Sequence, residues 1–162
     1  METQTHAADV RKSEAALQNT LPDATLQVTR LPTVEAIQLA LINRDYQTGP
    51  LTADIMLAVI AKPAYWAFCW GSGLALARWL LENSSVVANK RVADVECGCG
   101  VDAIAAKLAS TAHVVACDND KDALLNARAN AELNKVSLTF SSDVTGLEDG
   151  FDLILMADVL CE

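Results

Sequence analysis

The chain has 162 residues, a formal net charge of −9 at pH 7 and 52% hydrophobic residues, enough for the core of one domain. This excess of acid argues against nucleic acid as the main partner, because affinity for a phosphate backbone depends on Lys and Arg. The longest apolar run, residues 55–61, is far shorter than the roughly 20 residues that cross a bilayer, and no secretory signal is recognisable. We therefore predict a cytoplasmic protein with no membrane partner.

Residues 1–62 are predicted to form an N-terminal extension of helix and strand. Residues 5–19 are rich in Ala, Glu, Gln and Lys, which favour a helix by intrinsic propensity. Apolar and polar residues then alternate over residues 24–30, as they do in a half-buried strand. The extension is thus predicted to begin with one helix and one strand.

A second helix is predicted in the extension, over residues 34–44. Thr33 is a residue type that caps helix N-termini, and the apolar residues Val34, Ile37 and Leu41 follow it at spacings of three and four. These positions would lie on one face of a helix.

Residues 63–162 are predicted to form the main domain. An aromatic, Gly-interrupted run leads into a helix that is predicted to start near Gly73. Short apolar strands then alternate with helices: strands at 91–96, 113–118, 136–140 and 151–158, and helices at 101–109 and 121–134. Nearly continuous apolar strands joined by helical crossovers are typical of parallel sheets covered on both faces. The fold class is therefore predicted to be α/β, with a doubly wound, mostly parallel sheet.

A glycine loop, Cys97-Gly98-Cys99-Gly100, joins the first strand of this domain to its helix. In open parallel sheets, ligands bind beyond the carboxyl ends of the strands, where a loop without side chains lets a nucleoside approach the backbone. The alternative is that Gly98 and Gly100 only supply a tight turn that requires positive φ.

An acid at the end of the second strand favours the nucleoside site. Asp118 lies twenty residues after Gly98, where a carboxylate can accept both hydroxyls of a ribose. The alternative is that Asp118 caps the helix that begins near Asp120. Glycine loop and acid together predict a nucleoside-binding site.

Four segments then carry a family resemblance: PAYWAFCWGSGLALARWLL, RVADVECGCG, VVACDNDKDALLNARANAELN and FDLILMADVLCE. Over about residues 28–162 the chain resembles the seven-strand, Rossmann-like S-adenosylmethionine-dependent methyltransferases, in particular the electron-transfer-flavoprotein β-subunit lysine methyltransferases and their bacterial relatives. The resemblance implies S-adenosylmethionine as cofactor and a protein lysine, or a small amine, as methyl acceptor. Since relatives continue for several more strands, we expect a sheet that is incomplete at the C-terminus, with a fourth strand exposed to self-association.

The resemblance also implies a set of cofactor-binding residues: Trp70, Gly73, Asp94, Glu96, Gly98, Gly100, Asp118, Asn119 and Asp143. It places Asp94 and the glycines around the methionine part of the cofactor and Asp118 on the ribose. Asn119 and Asp143 would lie beside the adenine, and Trp70 and Gly73 near the sulfonium. Trp70 could instead be a buried aromatic packed on a helix start, and Asp143 an ordinary loop residue.

Two positions depart from the family pattern. Glu96 stands where the family usually has Gly, which brings an acid near the methionine carboxylate unless the side chain turns outward. Cys161 stands where relatives carry an aromatic residue. Asp158, at the start of that motif, is the predicted catalytic residue, which would orient the acceptor amine or help remove its proton.

Two other functions stay open. The first is an NAD(P)-dependent oxidoreductase, because Ala103 three residues beyond Gly100 fits the tolerant form of the dinucleotide motif. The second is an inactive nucleoside-binding or interaction module, which Glu96 and Cys161 favour. No metal site is predicted, since Cys97 and Cys99 are separated by one residue and zinc knuckles usually have two to four.

Overall fold

The computed structural model describes residues 2–46, 49–147 and 150–159. Within these ranges the chain forms, in order, α1 (Glu2–Gln18), β1 (Leu26–Leu31), β2 (Val34–Ile42), α2 (Ala53–Ala61), α3 (Gly71–Glu82), β3 (Arg91–Val95), α4 (Val101–Leu108), β4 (His113–Cys117), α5 (Lys121–Leu133), β5 (Thr139–Ser141) and β6 (Leu153–Leu155). A single 3₁₀ turn at Tyr65–Ala67 precedes α3. The helix predicted near Gly73 thus begins two residues earlier, and the last two strands are shorter than predicted.

The predicted helix over residues 34–44 is wrong, because this segment forms strand β2. β1 and β2 are an antiparallel hairpin, with Leu26 paired with Ile42 and Arg30 with Gln38. Val34 and Ile37 are buried in the core, but so is Leu39, which lies two residues beyond Ile37 as strand alternation requires. The segment fits both the helical spacing of three and four residues and the strand spacing of two, and pairing with β1 selects the strand. Tertiary pairing thus overrides local propensity.

Asparagine side chains of α5 hydrogen-bond with backbone N–H and carbonyl groups of β2, on the edge that is not paired with β1. The Asn134 amide accepts from the Gln38 N–H at 3.0 Å and donates to the Gln38 carbonyl at 2.6 Å. Asn130 accepts from the Ala40 N–H at 2.7 Å, and Asn126 donates to the Ala40 carbonyl at 3.3 Å. The three asparagines recur every four residues, so they lie on one helix face. Helix α5 therefore occupies the place that a third strand would take beside β2.

The main sheet has four parallel strands in the order β5-β4-β3-β6. This confirms the predicted α/β class with a parallel sheet. The chain adds β4 and β5 on one side of β3 and then returns to add β6 on the other, so the strand order reverses at β3. Ligands of open α/β sheets bind at such a reversal, outside the carboxyl ends of the strands. The site is therefore expected between the ends of β3 and β6.

Burial differs between the centre and the edge of this sheet. Val92 and Ala93 of β3 are completely buried, whereas Ile154 of β6 and Met156 just after it are each 57% exposed.

Helix α2 is apolar and none of its residues is buried, with Ile60 70% exposed. No helix within the described ranges has both the length and the apolar character to span a bilayer.

Candidate functional site

The glycine loop between β3 and α4 contains two glycines in the left-handed region, with φ of +51° at Gly98 and +80° at Gly100. A Cβ on Gly98 would meet no atom within 4 Å, so this side of the loop backbone is open to a ligand. A Cβ on Gly100 would lie 3.0 Å from the Cβ of Ala127 on α5. Gly98 thus leaves the loop accessible, and Gly100 permits close packing of α5. A contact between Gly100 and a cofactor stays a prediction.

Glu96 also adopts a left-handed backbone, with φ of +55°, and its side chain is exposed. L-residues pay roughly 1–2 kcal/mol in this region, which glycine enters freely. The position at which the family usually has Gly therefore keeps the glycine conformation in this chain despite the larger residue. Exposure keeps the Glu96 carboxylate out of the buried part of the loop.

Asp118 links the ends of β3 and β4. Its Oδ2 accepts from the Gly98 N–H at 2.9 Å and its Oδ1 from the Asp120 N–H at 2.9 Å. Burial raises the pKa of the half-buried carboxyl, although these two N–H groups oppose the rise. The N-cap of α5 is Asp120, which accepts from the Asp122 N–H. Asp118 is therefore not the helix cap, and its carboxylate keeps lone pairs for further donors.

Asp94 lies beneath the loop, on buried strand β3. Its Oδ2 accepts from the Ala103 N–H at 3.0 Å and so joins β3 to the first turn of α4. Burial raises the pKa of Asp94 to about 7. This contact supports the shape of the loop. Whether Asp94 also binds a cofactor stays a prediction.

Asp102, in the first turn of α4, is a buried acid that sequence reasoning missed. It is 4% exposed, and its Oδ1 has no hydrogen-bond partner within the described part of the chain. Burial, and then the charge of Asp94, raise the pKa of Asp102 to about 9. An acid in the first turn of a helix is ordinarily a solvent-exposed partner of the helix dipole, so no sequence signal distinguished it.

Gly73 and Asp158 meet where α3 begins. The Gly73 N–H donates to Asp158 Oδ2 at 3.2 Å, and a Cβ on Gly73 would lie 3.1 Å from Val101 Cγ1. Asp158 is exposed and has φ of +56°. The structure thus brings the predicted catalytic acid to the predicted sulfonium-side glycine, at the reversal of strand order.

Trp70 immediately precedes α3 and belongs to an exposed aromatic cluster. Its indole N–H donates to the Tyr65 carbonyl at 3.0 Å. The Trp70 ring packs edge-on against Tyr65, with centroids 6.0 Å apart, and tilted against Phe68 at 5.6 Å. The three side chains are 41% to 53% exposed, so the prediction of a buried packed Trp as the alternative role is wrong.

The two residues predicted beside the adenine are both exposed. Asn119 directly follows Asp118. Asp143 Oδ1 accepts from the N–H of Thr145 at 2.8 Å and from its hydroxyl at 2.6 Å, and these bonds lower the pKa of Asp143. Asp143 therefore stabilises its own turn, and its contact with an adenine stays a prediction. Cys161 lies outside the described residues.

Asn130 is a second residue that sequence reasoning missed. It is completely buried, accepts from the Ala40 N–H of β2, and donates to the Cys99 carbonyl of the glycine loop at 2.9 Å. The Cys99 thiol hydrogen-bonds with that of Cys69, which raises the pKa of Cys99 and lowers that of Cys69. The sequence did carry a sign of the role of Asn130, because asparagines recur every four residues on this Ala-rich helix.

No group of three or more His, Cys, Asp or Glu in the described part of the chain is arranged to hold a metal ion.

Residues 75–162 match the family model of ribosomal protein L11 methyltransferase (PrmA). The chain belongs to this methyltransferase family. It is 45% identical over 98 residues to the electron transfer flavoprotein beta subunit lysine methyltransferase of Danio rerio, covering 59% of this chain and 38% of that protein. It is 33% identical over 156 residues to the Xenopus laevis protein of the same name, covering 85% of this chain and 63% of the relative. The predicted resemblance is confirmed.

The chain thus spans between 38% and 63% of the length of these two relatives. Among solved structures, the ribosomal protein L11 methylase of Lactobacillus delbrueckii subsp. bulgaricus is 29% identical and has a TM-score of 0.49, covering 55% of this chain and 47% of that one. The family match favours a methyltransferase over the oxidoreductase alternative.

Proposed function

We propose that this protein transfers the methyl group of S-adenosylmethionine to a lysine amine of a protein substrate. The observation that carries the proposal is the Asp118 carboxylate, hydrogen-bonded at 2.9 Å to the Gly98 N–H beside the open face of the glycine loop. Membership of a methyltransferase family supports the same assignment.

The residues at the ends of the parallel strands fit this cofactor. The open backbone at Gly98 has room for the methionine part, and Asp118 retains acceptor capacity for the two ribose hydroxyls. Asn119 and Asp143 follow β4 and β5, on the side where the adenine would lie. When bound, the cofactor supplies an electrophilic methyl group on a positively charged sulfur. The chain itself needs no nucleophile, since alignment and desolvation supply most of the catalysis.

A lysine acceptor is supported by the names of the two relatives and by the exposed aromatic cluster that precedes α3. Tyr65, Phe68 and Trp70 expose aromatic faces, which attract alkylammonium groups through cation–π interactions. The net charge of −9 also suits a basic substrate segment.

Asp158 is the residue that we assign to the acceptor amine. The amine nitrogen attacks only after losing a proton, and an exposed carboxylate at the start of α3, the helix that Trp70 immediately precedes, can orient the amine and accept that proton. A cytoplasmic location and the exclusion of nucleic acid stay predictions.

Calorimetry with S-adenosylmethionine and with NAD tests the cofactor. We expect binding of S-adenosylmethionine only, and an affinity at least tenfold lower for Asp118→Ala, because the ribose loses a charged acceptor. Asp54→Ala, an exposed acid on α2, is the matched control and should bind like the wild type. Binding of NAD alone, or of neither ligand, would refute the proposal.

The acceptor is tested by incubating the protein with S-adenosylmethionine and purified electron transfer flavoprotein beta subunit or ribosomal protein L11. Peptide mass spectrometry should locate methyl groups on lysine. Cofactor binding without methylation of either protein would leave the cofactor assignment standing and contradict a substrate shared with these relatives.

A further inference from the structure

The starting point is the unpartnered oxygen of Asp102. The residue is 4% exposed, yet Oδ1 finds no hydrogen-bond donor within the described part of the chain. A buried polar atom without a partner loses its hydration and gains nothing in return, and native proteins retain few such atoms. An unsatisfied carboxyl oxygen next to a candidate ligand site therefore indicates a donor that arrives with the ligand.

The surroundings of Asp102 are anionic or neutral. Asp94 on β3, Cys69 ahead of α3 and Asp158 after β6 face it and raise its pKa. The Cys99 thiol of the glycine loop also faces Asp102. Within the described residues, no cation contributes to that shift. The α4 lysine, Lys107, donates to the carbonyls of Thr111 and Ala112 at the far end of the helix.

Gly73 brings two carboxylates to the same place. The point where a Cβ would stand on Gly73 is 3.5 Å from Asp102 Oδ2 and 4.0 Å from Asp158 Oδ2. Because Gly73 has no side chain, no atoms of this residue separate the two carboxyl groups. A cation at this place would stabilise the ionised form of Asp102 beside Asp158 and supply the missing donor to Asp102.

We propose that Asp102 binds the ammonium group of S-adenosylmethionine, whose N–H groups can satisfy the unpartnered oxygen. This inference rests on the proposed function for the identity of the ligand. Asp102 is a binding residue that the sequence motifs do not include, and the buried position on α4 makes its contact with the cation strong, since water screens it little.

The test compares S-adenosylmethionine with S-adenosylhomocysteine, which keeps the ammonium and lacks the charged sulfur. Asp102→Asn should lower the affinity for S-adenosylmethionine by about tenfold or more, as expected when a charged hydrogen bond is lost. A similar loss for both ligands is expected, since both carry the ammonium, and a loss for S-adenosylmethionine alone overturns the inference. Glu82→Gln, which removes an exposed charge on α3, is the matched control and should bind both ligands normally.

A measurement on the unchanged protein covers the case in which Asp102→Asn does not fold. If a cation ionises Asp102, binding at pH 8 should release a proton, seen as a calorimetric enthalpy that depends on the ionisation enthalpy of the buffer. Affinity for S-adenosylmethionine within twofold of wild type in Asp102→Asn, or binding without proton release, overturns this inference and leaves the proposed function intact. Failure of the wild type to bind S-adenosylmethionine overturns both.

Discussion

The backbone N–H of Gly73 donates to the carboxylate of Asp158 at 3.2 Å, although 85 positions separate the two residues. The bond joins the first turn of α3 to the segment after β6, across the place where the strand order reverses. One carboxylate therefore has a structural contact and a proposed catalytic role, and substitutions can separate the two.

Asp158→Ala should lower the free energy of unfolding by about 1 kcal/mol, because the first turn of α3 loses an acceptor for one of its N–H groups. Asp158→Asn keeps an acceptor oxygen and should cost less than half of that. It should nevertheless slow methyl transfer, since an amide does not accept the amine proton. Urea unfolding and the rate of lysine methylation measure the two effects. A wild-type rate in Asp158→Asn would remove the catalytic role.

Glu96→Gly should stabilise the protein by about 0.5–1 kcal/mol. Relief of the left-handed strain at φ of +55° exceeds the extra backbone entropy that glycine loses on folding. Glu96→Gln removes the charge and keeps the strain, so it is the matched control for unfolding in urea. Equal stability of the two variants would show that charge, and not backbone conformation, is what matters at this position.

Stability should fall as pH rises above 3.8. Asp94 and Asp102 have pKa values raised from 3.8 to about 7 and about 9, so the native state holds their protons where the unfolded chain has released them. Between those limits the unfolding free energy therefore decreases with pH. Asp102→Asn should remove the decrease between about 7 and about 9 and be more stable than wild type near pH 9, by on the order of 1 kcal/mol or more. Parallel pH profiles in urea for the two chains would contradict this.

Asn130→Ala should destabilise the protein by roughly 2–3 kcal/mol, because the Ala40 N–H and the Cys99 carbonyl would both lose their buried partner. Asn119→Ala, at an exposed position, should change stability by less than about 0.5 kcal/mol. Thermal unfolding of both variants checks the difference. A similar melting temperature for the two would mean that water replaces the Asn130 amide.

Self-association through β6 stays a prediction with a direct test. In the described residues β6 pairs with β3 alone, and Ile154 is 57% exposed on it. Open, apolar edge strands pair with further chains, and an edge lysine discourages this. Ile154→Lys should therefore shift sedimentation toward monomer, whereas Ile60→Lys on α2 should not. A wild-type protein that is monomeric at all concentrations would refute the prediction.

The main domain could be predicted from sequence because its signals are local. The glycine loop comes just after strand β3, and Asp118 comes directly after strand β4, so each can be recognised from the strand before it. Strand β2 could not be predicted in this way, since Val34, Ile37 and Leu41 fit a helix equally well. Only a hairpin partner and the distant asparagines of α5 decide its form.

The buried acid could not be predicted either. Asp102 occupies an ordinary position for an acid at a helix start, and its burial arises from α3, β3 and the segment after β6 packing around it. Asp158 could be chosen from a motif, but its contact with Gly73 depends on the order of strands in the sheet. Sequence patterns identify the chemistry of such residues, and the tertiary fold determines their partners.

The amide of Asn130 has its oxygen on the hairpin and its nitrogen on the loop that faces the proposed nucleoside. A shift of the hairpin is thereby transmitted to the glycine loop, and a shift of the loop to the hairpin, through one rigid planar amide. Damage to the β-hairpin at positions remote from any ligand should consequently appear first as weakened nucleoside affinity, before general unfolding is detectable.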